Sequence, residues 1–349
     1  MGSDPEPHRR ARKGPSGEAS TTITVGSVGA SAIRISPAWD EPSGVIDLIH
    51  HAGPFWPLAN YAASDAEMAA LGSERVSFTP PWFRQDFARE SQVLVAGAEH
   101  ILHNQRFAGA ARELAGGDGS VVRPQAVYVN IMGPTPFAFP PHLDIPAFRG
   151  FTRATQPVWL LKTMKTSGLF EAWRTRIATA VSWFYAGVGG DFHYWPDGAD
   201  GLMVVERSPY GNVSVLADNE VTFHGVSALG EPGATMPDGL TRASRLVRDE
   251  PGWTVRDGDG VAQAHFTEDE VRYTVSWKAD LFASAEAAEV HDSGDHDLSL
   301  DTVVDLFHDD LVARGIETHR PADALADQGW IKTLASTYQD PAPPMPRVA

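Results

Sequence analysis

In the stretch PPHLDIPAFRG (140–150), His142 and Asp144 stand two residues apart among prolines and apolar residues. Imidazole and carboxylate are both metal ligands. Side chains at i and i+2 of a strand share a face, with Cα atoms about 6.6 Å apart, so the pair can converge on one ion. A third donor from a neighbouring strand would complete one face of an octahedron and leave the other positions open. His-x-Asp alone is weak evidence, because the chain holds a second copy at His308 and Asp310. That copy lies in the helical pattern SLDTVVDLFHDDLVARGI, where i and i+2 point in different directions. The first copy has better company. GNVSVLADNEVTFHGV places His224 at the end of an alternating strand, directly before Gly225, and a glycine there leaves room beside a metal.

A third stretch, VRYTVSWKADLF, sorts Arg272, Thr274 and Ser276 onto one strand face and Tyr273, Val275 and Trp277 onto the other. A guanidinium on the inner face of a barrel is costly unless an anion pairs with it. Its planar fork, with a hydroxyl two residues away, suits bidentate capture of a carboxylate. Arg242 and Arg245 lie nearer to His224, but GLTRASRLV lacks the alternating apolar frame.

The elements that must position these residues are mainly strands. QAVYVNIMG (125–133), ATAVSWFYAGVGGDFHYWPDG (178–198), GLMVVERSPYGNVSVLADNEVTFHGV (201–226) and EVRYTVSWKADLF (270–282) read as strands between turn signals. Residues 45–120 read as mainly helical, with Val93, Leu94, Ala98, Ile101, Leu102 and Phe107 at near-helical spacing. A helical insertion spans 158–177, and helices close the chain over 297–337. This pattern predicts a mainly β fold with flanking helices around a double-stranded β-helix (jelly-roll, cupin-like) core. The expected organisation is a disordered tail over 1–22 and one domain over 23–340, its jelly-roll core at about 121–285.

Composition sets the outer limits. With 349 residues, 42% of them hydrophobic, the chain can build a sizeable core, and 26 prolines and 32 glycines imply many turns. A net charge of −17 argues against a nucleic-acid partner. The absence of cysteine excludes disulfides, thiolate metal sites and thiol nucleophiles. No apolar stretch approaches the ~18 residues of a membrane span, and the polar N-terminus lacks the apolar core of a signal peptide, which points to a cytoplasmic protein.

Together, His142-Leu143-Asp144, His224-Gly225 and Arg272-Tyr273-Thr274 resemble the Fe(II)/2-oxoglutarate-dependent oxygenase superfamily, with a prolyl-hydroxylase-like pattern over roughly 125–282. The resemblance implies Fe(II) on His142, Asp144 and His224, with 2-oxoglutarate as co-substrate held by Arg272 and Thr274. It implies a dioxygenase that hydroxylates, or otherwise oxidises by C–H abstraction, a small molecule such as an amino acid or biosynthetic intermediate. The resemblance also implies that an aspartate at 144 favours hydroxylation or a related hydrogen-abstraction outcome over halogenation. One departure stands out: Arg272 follows His224 at a longer interval than is usual, so the residues between must form an inserted loop or hairpin. Tyr128 and Asn130 share a strand face and are candidates to bond 2-oxoglutarate, a core tyrosine and a turn asparagine being the equal alternatives. Trp183, Tyr185, His193 and Arg149 are candidates to meet substrate, and the 158–177 and 226–269 segments and the helical N-terminal part to cover it. The alternatives are a cupin-type metal dioxygenase without 2-oxoglutarate and a non-catalytic ligand-binding barrel.

Overall fold

The strand Arg272–Phe282 has two faces of opposite character, and the layout of the fold follows from them. In the computed structural model, which describes residues 22–25, 31–62 and 79–344, Tyr273, Val275, Trp277, Ala279 and Leu281 are buried in the largest hydrophobic core. Arg272, Thr274, Ser276 and Lys278 alternate with them and face the other way. Trp277 is fully buried, and its indole N–H donates to the Leu102 carbonyl at 2.8 Å. The helix Gln105–Ala115 covers this apolar face. It starts at Asn104, whose side chain accepts from the N–H groups of Arg106 and Phe107, and stops at Gly116 in the left-handed conformation.

Arg272–Phe282 pairs antiparallel with Val121–Met132 on one side and Arg174–Phe184 on the other. Ser214–Ala217 extends the sheet beyond Arg174–Phe184, and Trp82–Arg89 beyond Val121–Met132. A second antiparallel sheet runs Val204–Glu206, Phe192–Trp195, Phe223–Val226, Phe139–His142. The chain passes back and forth between the sheets, and Val181, Trp183 and Val215 of the first pack against Phe192 and Tyr194 of the second. This is the expected jelly-roll core with helices at its flanks.

A separate hydrophobic cluster lies at one end. The helices Val158–Ser167, Leu300–Ala313 and Gln328–Thr337 bury Leu161, Met164, Phe307, Leu311, Trp330 and Leu334 together. His308 is on the helix Leu300–Ala313, as its pattern predicted.

Several expectations need correction. Among the described residues the 45–120 region is not mainly helical: the helices Pro42–His51, Ala59–Ala62, Glu99–Leu102 and Gln105–Ala115 share it with the eight-residue strand Trp82–Arg89. Polar residues in WFRQDFAR mask the alternation there, and long-range pairing to Val121–Met132 decides the conformation. Val93 belongs to the short strand Gln92–Val93 rather than to a helix. The 158–177 helix ends at Gly168, and residues from Arg174 onward are strand. The 226–269 insertion holds a three-stranded sheet, Arg245–Asp249, Gly252–Arg256 and Ala262–Phe266. That sheet packs on the outer, apolar face of Arg272–Phe282 through Trp253 and Tyr273, while the start of the segment stays at the interior, where Leu229 bridges Thr135 and Gly189 and lies against Gly190 beside Arg272. Arg242 and Arg245 go with the sheet: Arg242 donates to Asn60 and Arg245 opens the outer sheet. The tail expected over 1–22 lies, apart from Thr22, outside the described residues.

Candidate metal centre and anion pocket

The strands Phe139–His142 and Phe223–Val226 pair so that His142 lies directly opposite His224, and the two imidazole centroids are 4.2 Å apart. His224 stands near the start of its own strand, after a turn at 218–222, rather than at the end of one long strand. Gly225 is required here for a steric reason. A Cβ on it would come within 2.9 Å of the Phe139 carbonyl oxygen and 3.1 Å of the Pro141 nitrogen. Asp144 lies just beyond its strand, fixed by its backbone N–H to the Asn219 carbonyl at 2.8 Å. One ligand atom from each of His142, Asp144 and His224 falls within 4.8 Å of the others. Among the described residues no other trio of potential ligands comes together in this way.

The electrostatics suit a cation. His142 Nδ1 lies 2.9 Å from the Pro140 carbonyl and His224 Nδ1 3.1 Å from that of Thr222. A carbonyl only accepts, so both Nδ1 atoms carry the proton and both Nε2 lone pairs are free. Burial, with His142 beside it, pushes His224 down to about 4, which keeps it neutral at physiological pH. Burial pushes the Asp144 carboxyl up, but the Lys278 ammonium and the two imidazoles hold it well below the usual carboxylate range. Lys278 donates to Asp144 Oδ2 at 2.6 Å and to Thr179 Oγ1 at 3.1 Å.

Across the same interior, at the other end of the strand, Arg272 is 1% exposed. Its Nη1 donates to Thr274 Oγ1 at 2.6 Å and approaches the Met132 sulfur at 3.6 Å. Nε and Nη2 are buried without a hydrogen-bond partner, and no carboxylate among the described residues pairs with the group. Gly190, at φ +68°, makes way for it: a Cβ there would sit 2.9 Å from Arg272 Cδ. Asn130 pairs with Thr274 and Tyr128 with Ser276, so both share the inner face, and Asn130 Oδ1 is likewise buried and unpartnered. Tyr128 lies under the Arg84 guanidinium, 3.7 Å from it.

The remaining candidates separate. Trp183 lies on the inner face opposite Thr274, stacked on Tyr210 and 6.0 Å from the Arg272 guanidinium. Tyr185 also sits at that end, its hydroxyl donating to the Val188 carbonyl. Both are therefore at the Arg272 end of the interior. His193 pairs with Gly225 while its neighbour Tyr194 pairs with His224, so His193 points to the opposite face of that sheet from His224. Arg149 lines a different cavity of about 480 Å³ with Arg174, Arg176 and His291. Beside the trio itself, a cavity of about 350 Å³ is lined by His142, Asp144, Lys162, Lys165, Phe223 and the segment Asp340–Pro343.

Lys278 is the residue the sequence reading passed over. Continuing the alternation Arg272, Thr274, Ser276 by one step places it on the inner face, and a lysine there needs a partner. The buried trio Arg174, Asp218 and Glu220 was hidden because Arg174 was read into a helix.

No protein-family model and no curated protein matches the chain. Among solved structures it is similar to an oxidoreductase of the 2OG-Fe(II) oxygenase family from Burkholderia pseudomallei, at 11% identity over 72% of this chain and 85% of that one, TM-score 0.38. It is similar to the non-haem α-ketoglutarate-dependent epimerase SnoN from nogalamycin biosynthesis, at 13% identity over 72% and 77%, TM-score 0.39. A prolyl hydroxylase from Trichoplax adhaerens, in complex with a peptide fragment, is 9% identical over 72% and 84%, TM-score 0.35. At such scores the likeness is loose, and function must be read from this chain's own side chains. Among the described residues no helix is long and apolar enough to cross a membrane.

Proposed function

We propose that the chain is an Fe(II)- and 2-oxoglutarate-dependent oxygenase that oxidises a small molecule at a C–H bond. The observation that carries this reading is the pairing, within one barrel interior, of a two-imidazole, one-carboxylate trio with a buried arginine that lacks an anion. The donor set suits Fe(II), a borderline ion bound by imidazole and carboxylate. The unpaired Nε and Nη2 of Arg272 and the Thr274 hydroxyl suit a second, distant carboxylate on a ligand that reaches the metal with its other end. Such a dicarboxylate would supply the partner that this buried cation lacks.

In this reading His142, Asp144 and His224 hold the metal, each imidazole through Nε2 and fixed by its carbonyl partner. Arg272 and Thr274 bind the far carboxylate, and Asn130 and Tyr128 flank it. Bound iron and 2-oxoglutarate supply, with dioxygen, the oxidising power for hydrogen removal. Trp183, Tyr210 and Phe192 pack around the pocket and exclude water from it. The 350 Å³ cavity at His142 and Asp144 is where a substrate reaches the metal, and its size fits a small metabolite better than a protein surface.

The test is oxygen-dependent conversion of 2-oxoglutarate to succinate by the Fe(II)-loaded protein, with Asp144→Ala as control. Turnover that disappears in the variant supports the reading. Turnover that Asp144→Ala leaves unchanged, or none under any substrate panel, contradicts it.

A further inference from the structure

Lys278 poses a problem that the proposed metal site alone does not solve. An ammonium beside a cation site repels the ion it neighbours, so this lysine opposes metal binding through its charge. It is nonetheless held firmly. It stands mid-strand between Ala126 and Thr179 and donates to the Thr179 hydroxyl as well as to Asp144.

The two oxygens of Asp144 have divided duties. Oδ1 lies 3.7 Å from His224 Nε2, on the side of the ligand trio, while Oδ2 accepts from Lys278 at 2.6 Å. A carboxylate can bind a metal through one oxygen or through both. Through both it takes up one more coordination position, and three protein ligands leave room for co-substrate and oxygen only if it does not.

Resting on the metal reading above, we propose that Lys278 is a positioning residue: by occupying Oδ2 it confines Asp144 to one-oxygen coordination and keeps a metal position open. Lys278 touches the ligand and not the reacting atoms, so its effect passes through Asp144. A residue that merely neutralised a buried carboxylate would act differently. Its loss would weaken metal binding by roughly 10- to 100-fold, as loss of a ligand's outer partner usually does. Loss of a positioning lysine removes both a repulsion and a restraint, so the ion stays bound with fewer open positions.

The full-length protein loaded with Mn(II) alone tests this. Water-proton relaxation counts the waters on the ion, and the resonance of free Mn(II) gives its affinity. In Lys278→Met the inner-sphere contribution should fall by about a third, one of three open positions having closed, while Mn(II) affinity is unchanged or tighter. Lys278→Arg, which keeps a cationic donor, should retain the wild-type water count. A Lys278→Met protein with the wild-type water count overturns the proposal, and so does one that loses Mn(II) affinity more than roughly tenfold. If Lys278→Met does not fold, Thr179→Val serves: it frees one anchor of Lys278 and should lower the water count in the same direction by less, and an unchanged count overturns the proposal. Wild-type protein that binds no Mn(II) overturns the metal reading first, which separates the two failures.

Discussion

Arg174 and Arg272 are both buried in this barrel, and they are treated in opposite ways. Arg174, 8% exposed, is closed on every side by acids. It bonds both oxygens of Asp218 at 2.8 and 2.9 Å and Glu220 at 2.9 Å. Arg272 is buried more deeply and meets a threonine, a methionine sulfur and two aromatic faces, but no acid among the described residues. A buried charge is costly until it is paired. The first arginine brings its counter-ion, Asp218, with it and is structural. The second has no such partner, and on the proposed reading an anion from outside supplies it.

The comparison breaks first at Arg174. Arg174→Met would leave the Asp218 carboxylate buried without its cation, beside a Glu220 that keeps its proton, and unfolding should show a loss of about 3–5 kcal/mol. Arg272→Met should do the reverse. Removing an unpaired buried charge leaves stability unchanged or raised, while affinity for 2-oxoglutarate, measured calorimetrically on the metal-loaded protein, falls roughly 100-fold, about 2.7 kcal/mol. Equal destabilisation by both substitutions would erase the distinction.

Glu220 sharpens it through pH. Burial, with Asp218 nearby, pushes its carboxyl from 4.5 up to about 8, so the folded protein holds a proton that the unfolded chain has released. Its contribution is complete below pH 4.5 and is lost as pH rises through about 8. Between those values wild-type stability should fall relative to Glu220→Gln by roughly 1.4 kcal/mol per pH unit. Parallel pH profiles for the two proteins would show that Glu220 is ionised throughout. Smallest is Thr274→Val, which removes one hydrogen bond to Arg272 Nη1 and one hydroxyl from the pocket. It should weaken 2-oxoglutarate binding roughly 3- to 10-fold, in line with about 1 kcal/mol for one hydrogen bond.

How far the sequence could be read depended on period. In VRYTVSWKADLF the alternation is strict, and the inner face carrying Arg272 and Thr274 was legible without a structure. So were His142 and Asp144, separated from the helical copy at 308–310 by their setting alone. Convergence with His224 required the cross-strand register that sets His224 opposite His142, which a single sequence does not encode locally. Asp144 even leaves the strand that the spacing implied, and the turn at Asn219 holds it in place. In Trp82–Arg89 and Arg174–Ile177 charged residues break the alternation, and both take their conformation from neighbours far along the chain. His193 was misplaced by proximity in sequence: one residue along a strand is the other face of the sheet.

The most direct test of the central claim is an anaerobic titration of the Fe(II)-loaded protein with 2-oxoglutarate, followed in the visible region, for wild type and Arg272→Met. A saturable metal-to-ligand charge-transfer band that develops in the wild type, and requires roughly 100-fold more 2-oxoglutarate in the variant, is the expected result. Absence of the band from wild-type protein that has bound iron, or a band with the same midpoint in both proteins, would contradict it.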